Sequence, residues 1–304
     1  MSGIVRGSKK RLLDDEFIAK ISQLEIVSRK IISGVLKGDR LSKRRGYSNE
    51  FADYRPYAAG DDLRFLDWNI YARLDRLFLK LFLEEEDLRL RILLDTSPSM
   101  DFGDPNKLEY SKRIAAALSY IGLINQDRVQ ISGFAGQARP LFGPARGRRQ
   151  VQRLFDVLQG LEADEGESTD LERSCRDFAA AERSGGILLV ITDFLDRAGF
   201  DAGLRYLLAG SRSTEIYVFH VLSPQEIEPE LAGDLRLTDV EDGVTVDISV
   251  SAPLLKSYRR TLELFREEVR DYCSGHGFHY IFTSTAVPFD KLVLEYLRRR
   301  GLVR

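Results

Sequence analysis

Cysteine and histidine are scarce in this chain of 304 residues. Cys175 and Cys273 stand far apart with no Cys-x-x-Cys spacing, which argues against a disulfide framework or a thiolate metal site and fits a reducing compartment. His220, His276 and His279 are too few and too scattered for a zinc site. No apolar run approaches the roughly 20 residues that span a membrane; the longest, Ile187 to Ile191, reads as a core strand. Met1 to Arg11 is basic but no uninterrupted apolar core follows it, so no signal peptide is expected and a cytoplasmic location is. Catalytic signatures are missing too. Without Gly-x-x-x-x-Gly-Lys-Ser/Thr the chain is not expected to hydrolyse ATP, and without Gly-x-Ser-x-Gly it has no nucleophile elbow.

What is present is charge, unevenly placed. The net charge is −2, but residues 1–80 carry 17 Lys/Arg against 11 Asp/Glu, leaving an acidic remainder. That asymmetry suggests an electrostatic interface within the chain or with a partner. Lys43-Arg44-Arg45 and Arg146-Gly147-Arg148-Arg149 read as solvated loops; no nucleic-acid motif accompanies them, and no nucleic-acid partner is expected. Glu84-Glu85-Glu86-Asp87 reads as an acidic turn shielding an apolar strand.

Two regions are expected. Residues 1–87 hold an amphipathic helix from Asp14-Asp15 to about Lys37, with Phe17, Ile21, Leu24, Ile31 and Val35 at helical spacing. A segment rich in Arg, Asp and aromatics follows, closing on the β-like run Leu77 to Leu83. From 88 to 304 strands and helices alternate. Strands are predicted at 88–95, 128–134, 139–142, 186–192, 215–222 and 279–283. Helices are predicted at 107–123, 149–158, 171–183, 200–209, 254–273 and 291–300. Continuously apolar strands in this alternation imply a doubly wound, mostly parallel α/β sheet. Residues 233–250, with Asp242-Gly243 at the turn, read as an inserted β-hairpin.

The chemistry concentrates at Asp95-Thr96-Ser97-Pro98-Ser99, where an apolar strand ends on a carboxylate followed by two hydroxyls. Ligands of open α/β sheets bind beyond the carboxyl ends of the strands. Asp193 ends another apolar strand, and Thr169 precedes the helix that feeds it. The candidate cation set is therefore Asp95, Ser97, Ser99, Thr169 and Asp193. Oxygen donors without nitrogen or sulfur suit Mg²⁺ first, or Mn²⁺ or Ca²⁺. The plainer alternative is that both aspartates cap strand ends and the serines N-cap the next turn. A second constellation is Arg55, Asp61, Asp62, Arg64, Asp67, Trp68 and Arg73. It reads as Arg–carboxylate pairs fastening an interdomain joint, or as a docking surface.

The cation residues resemble the metal-ion-dependent adhesion site of von Willebrand factor A domains. Glu50-Phe51, Arg55-Pro56-Tyr57, Gly60-Asp61-Asp62-Leu63-Arg64, Asp67-Trp68, Ala72-Arg73 and Gly233-Asp234-Leu235-Arg236-Leu237 resemble the bacterial family catalogued as domain of unknown function 58. This resemblance covers roughly residues 20 to 300. It implies a von Willebrand A-like domain without established enzymatic activity, associated with MoxR-type AAA+ ATPases. It also implies direct ligation by Ser97, Ser99 and Thr169, with Asp95 and Asp193 acting mainly through water. Many members of that family carry N-terminal membrane helices, none of which is expected here, and Ser168 stands where glycine is frequent.

The expected function is a cation-dependent interaction module whose open coordination position takes an acidic residue of a partner, a MoxR-type AAA+ ATPase or its client. The alternatives are a metal-dependent phosphohydrolase using Asp95 and Asp193, and a metal-free scaffold. Ser97 stands where such a hydrolase wants a second acid, which favours binding over catalysis.

Overall fold

Strands apolar on both sides need covering on both sides, and the computed structural model covers them. It describes residues 12–26, 51–58, 61–82, 88–164, 169–181, 185–209, 214–239 and 243–304. They form two units, Met1–Lys30 with Leu88–Arg304, and Ile31–Asp87.

Six strands make the sheet of the larger unit: β1 (Arg89–Asp95), β2 (Arg128–Phe134), β3 (Ala138–Ala145), β4 (Gly186–Thr192), β5 (Thr214–Leu222) and β6 (His279–Ser284). Their spatial order is 3-2-1-4-5-6, with β3 antiparallel on the edge and the rest parallel. This is the doubly wound, Rossmann-type order expected from the sequence. The helices are α1 (Lys107–Ile124), α2 (Val151–Gln159), α3 (Leu171–Ala181), α4 (Asp201–Ala209) and α5 (Ala252–Gly275). Alternate strand residues divide between the faces. Leu93, Leu188, Val190, Ile216 and Val218 pack with Cys175 and Phe178 of α3, Leu204 of α4 and Val269 of α5. Leu90, Ile92 and Leu94 point the other way and are fully buried; a Cβ added at Gly122 of α1 would lie 3.4 Å from Leu90 Cδ2. Each such buried side chain contributes about 1.5–3 kcal/mol. Gly186 opens β4 at φ 127°, where a Cβ would stand 2.4 Å from Arg89 O; only glycine admits β4 this close to β1.

The N-terminal helix is shorter than its apolar spacing suggests. It runs Asp15–Ile21, capped by Asp14, whose Oδ1 accepts from Phe17 N at 2.6 Å. The chain then extends: Ile26 bridges Val303, and Glu25 and Arg304 exchange backbone hydrogen bonds of 3.1 and 3.0 Å. This pairing overrides helical propensity at Leu24 and places residues 12–26 with the sheet, whereas the boundary expected at 87/88 keeps them with the Arg/Asp-rich segment. The rest of that expected helix, Lys43-Arg44-Arg45, Glu84 to Asp87, Ser168 and the turn residue Asp242 lie outside the described residues. The last expected helix runs from Phe289 to Arg300, its middle Leu292–Leu297 is π-helical, and Gly301 at φ 76° ends it. Gly233–Thr238 pairs antiparallel with Thr245–Val250, as the hairpin expectation required. No helix among the described residues is long and apolar enough to cross a membrane.

In the smaller unit, Phe51–Pro56 pairs antiparallel with Phe78–Phe82. A helix at Trp68–Leu74, not expected from the sequence, stands between them; Asp67 caps it, its Oδ1 accepting from Asn69 N at 2.8 Å and Ile70 N at 3.2 Å.

Candidate metal centre

β1 and β4 are hydrogen-bonded neighbours, Leu94 opposite Ile191, and the chain leaves them in opposite directions. Their carboxyl ends form the topological switch point, where open sheets leave a crevice. Asp95 closes β1 and Asp193 follows β4, so the fold brings together two carboxylates 98 residues apart in sequence. Both are buried.

A continuous line of oxygens joins them. Ser97 Oγ donates to Asp95 Oδ1 at 2.6 Å, Ser97 Oγ and Ser99 Oγ stand 3.0 Å apart, and Ser99 Oγ donates to Asp193 Oδ2 at 3.0 Å. Ser97 occupies the N-cap of the turn Pro98–Met100 yet makes no side-chain cap bond. The plainer expectation of capping serines therefore fails for Ser97, whose hydroxyl turns to the carboxylate.

Proton counting makes the line informative. Each serine hydroxyl has one proton, so two protons serve three oxygen–oxygen contacts, and either serine could donate in the contact between them. One of the three contacts then sets lone pairs against lone pairs. Either a carboxyl carries an extra proton, or a cation belongs there. Adjacent oxygens in a Mg²⁺ octahedron are about 2.9 Å apart, which the two 3.0 Å contacts of this line approach at a spacing that hydrogen bonds share. The donor set thus fits a hard divalent cation. Asp95 reports the same tension: burial first, and the Asp193 charge second, push its pKa up to about 7.

Supporting contacts fix the carboxylates. Asp95 Oδ1 also accepts from Ser97 N at 2.9 Å, and Oδ2 from Thr192 Oγ1 at 2.5 Å. Asp193 Oδ1 accepts from Leu195 N at 3.0 Å, a bend made possible by Phe194 at φ 59°. Such a left-handed conformation costs a non-glycine residue about 1 kcal/mol. Thr169 stands at the same edge, half-buried: the next residue, Asp170, donates its N–H to Ala135 O at 2.9 Å, and Leu171 N donates to Asp196 Oδ2 at 2.7 Å. Before the loop, Asp164 is tied to Thr96 by Thr96 Oγ1–Oδ2 at 2.5 Å and by Asp164 N–Thr96 O at 2.7 Å.

Lys107, the first residue of α1, was not singled out by the sequence. Its side chain is 0% exposed, and its Nζ lies 2.6 Å from Asp193 Oδ2 and 2.5 Å from Glu226 Oε1. Burial works against its charge, but Asp193 and Glu226 outweigh burial and its pKa is raised. Two local signals bear on it, neither decisive before its burial is known. A lysine at a helix N-terminus opposes the dipole, and Ser223-Pro224-Gln225-Glu226 is a capping-box pattern that places Glu226 at the end of β5.

Among the described residues, no group of three or more His, Cys, Asp or Glu is arranged to hold a metal. The candidate therefore rests on hydroxyls with two carboxylates. The histidines stay apart, His276 stacked on Tyr272 and His279 on Tyr217. In the smaller unit the second constellation pairs locally: Arg55 with Asp61 at 2.8 Å, Arg64 with Asp62 at 2.5 Å, and Asp67 with Lys80 at 3.2 Å. Trp68 and Arg73 are exposed on the helix that Asp67 caps.

The family model described as "Protein of unknown function DUF58" matches residues 53–267. The chain belongs to this family. Uncharacterized proteins of Mycobacterium bovis and Mycobacterium tuberculosis are 28% identical over 296 residues, covering 95% of this chain and 92% of theirs. Among solved structures, the chain is similar to the conserved hypothetical protein BatB of Bacteroides thetaiotaomicron, with 18% identity and a TM-score of 0.46 over 70% of this chain and 98% of that one. An aerotolerance-related membrane protein of Bacteroides fragilis follows, with 17% identity and a TM-score of 0.43 over 70% of this chain and 99% of that one. For this DUF58 member, the switch-point edge gathers the buried Asp95, Ser97, Ser99, Lys107 and Asp193.

Proposed function

We propose that this protein is a cytoplasmic, cation-dependent protein-interaction module rather than an enzyme. Asp95, Ser97, Ser99, Thr169 and Asp193 would hold one divalent cation, Mg²⁺ first, with Mn²⁺ or Ca²⁺ as substitutes. Once bound, that ion offers a Lewis-acidic position to a carboxylate of a partner, which the family resemblance suggests is a MoxR-type AAA+ ATPase or its client. The observation that carries this reading is the line Asp95–Ser97–Ser99–Asp193, in which two hydroxyl protons serve three oxygen–oxygen contacts.

The chain's own residues favour binding over hydrolysis. Asp95 is buried, and both its oxygens are engaged, by Ser97 and Thr192. A nucleophilic carboxylate needs a free oxygen facing substrate. Ser97 cannot serve as the proton donor to a leaving group. The exposed Trp68, with Arg55, Asp61, Asp62, Arg64, Asp67 and Arg73 around it in sequence, is proposed as a second interdomain or docking surface.

Calorimetry with Mg²⁺ and Mn²⁺ tests the reading. One ion should bind per chain, and Asp95→Ala should abolish binding. No heat with wild type, or equal binding by the variant, removes it. Turnover of a generic phosphomonoester that disappears in Asp95→Asn would move the assignment to a phosphohydrolase.

A further inference from the structure

Lys107 is a costly side chain to bury at the switch point. An ammonium 0% exposed loses its hydration. It also sits on the first residue of an 18-residue helix, where the dipole repels a cation. A methionine of similar length would avoid both penalties. What holds the lysine is a pair of carboxylates from neighbouring strand ends, Asp193 after β4 and Glu226 after β5.

Glu226 is held ready for this contact. Its Oε2 accepts from Ser223 N at 2.7 Å and Ser223 Oγ at 2.9 Å, which leaves Oε1 to Lys107. Asp193 Oδ2 is shared: Ser99 reaches it from the oxygen line and Lys107 from the other side. The ammonium therefore grips an oxygen that the cation set also needs. With Asp95, Asp193, Glu226 and Lys107 all charged, the group carries two net negative charges, which one divalent cation balances.

We infer that Lys107 is a tethered counter-ion: it holds Asp193 in place in the metal-free protein and competes with a divalent cation for that carboxylate. The competition rests on the cation reading above; the tethering does not. Lys107 thus lets the edge keep its shape without metal, at the expense of weaker metal binding. This is a positioning role, exerted through Asp193.

The test combines thermal unfolding in EDTA with Mn²⁺ calorimetry on the full chain. Lys107→Met should melt several degrees below wild type in EDTA, regain that loss on saturation with Mn²⁺, and bind Mn²⁺ about tenfold more tightly, because a nearby positive charge is gone. Lys107→Arg should stay nearer wild type in EDTA. Glu226→Gln covers the case in which Lys107→Met fails to fold. Glutamine still closes a capping box, but Lys107 then bears on Asp193 alone, and Mn²⁺ binding should weaken several-fold. Unchanged melting of Lys107→Met in EDTA would refute the tether. Unchanged or weaker Mn²⁺ binding by Lys107→Met, or unchanged binding by Glu226→Gln, would refute the competition. If wild type binds no Mn²⁺, the cation reading falls by itself, and melting of the methionine and arginine variants in EDTA still decides the tether.

Discussion

The switch-point edge and the small unit at residues 51–82 use the same vocabulary, basic side chains paired with aspartates, at opposite cost. Lys107 and Asp193 have side chains 0% and 1% exposed, whereas Arg64 and Asp62 are 67% and 43% exposed. An exposed pair exchanges water for a partner at little gain and is worth about 0–1 kcal/mol. A buried pair surrenders hydration on both ions, and a hydrophobic pair would often serve stability as well. Charge at the edge is thus retained at a cost that the exposed Arg64–Asp62 pair of the small unit does not carry, although Asp67 of that unit is itself only 6% exposed beside Lys80.

The largest expected effect comes from Asp193→Ala. It leaves Lys107 buried with Glu226 alone and removes the acceptor for Ser99, so a loss of about 3–5 kcal/mol is expected in urea unfolding. A loss below about 1 kcal/mol would erase the contrast between the regions. Next comes pH. A carboxyl whose pKa is higher folded than unfolded adds stability below the unfolded value and loses it as pH rises through the folded one. Asp95 is pushed up from 3.8 to about 7. In EDTA the wild type should therefore lose stability as pH rises across that window, and Asp95→Asn should flatten the trend; identical profiles would contradict the buried-carboxylate tension. Thr192→Val, which removes a donor to Asp95 Oδ2, should cost about 1–3 kcal/mol, read from the same urea curves. At the small end, Asp62→Ala should cost no more than about 1 kcal/mol. Trp68→Ala, at a side chain 63% exposed, should stay within about 0.5 kcal/mol of wild type. A large loss in either would mean that the small unit's surface is structural after all.

Much of this was legible because continuously apolar strands and strand ends are local signals. Leu90 to Asp95 and Ile187 to Asp193 each read as a buried strand closing on a carboxylate, and the pairing of β1 with β4 needed only the doubly wound order. The N-terminal helix was misjudged at Leu24 because a bridge between Ile26 and Val303 joins chain ends that no window of sequence sees together. The Trp68–Leu74 helix was hidden by its aromatic and charged composition, although Asp67 was a fair N-cap signal. Lys107 went unread because its partners lie 86 and 119 residues away. A lysine in the first turn of a helix is unremarkable until its burial is known.

The most direct measurement is anomalous diffraction from crystals grown with Mn²⁺. A single manganese peak within ligand distance of the Ser97, Ser99 and Thr169 hydroxyls is the expected result. A peak elsewhere, or none at the Asp95–Asp193 edge at saturating Mn²⁺, would contradict the assignment of that edge as a cation site.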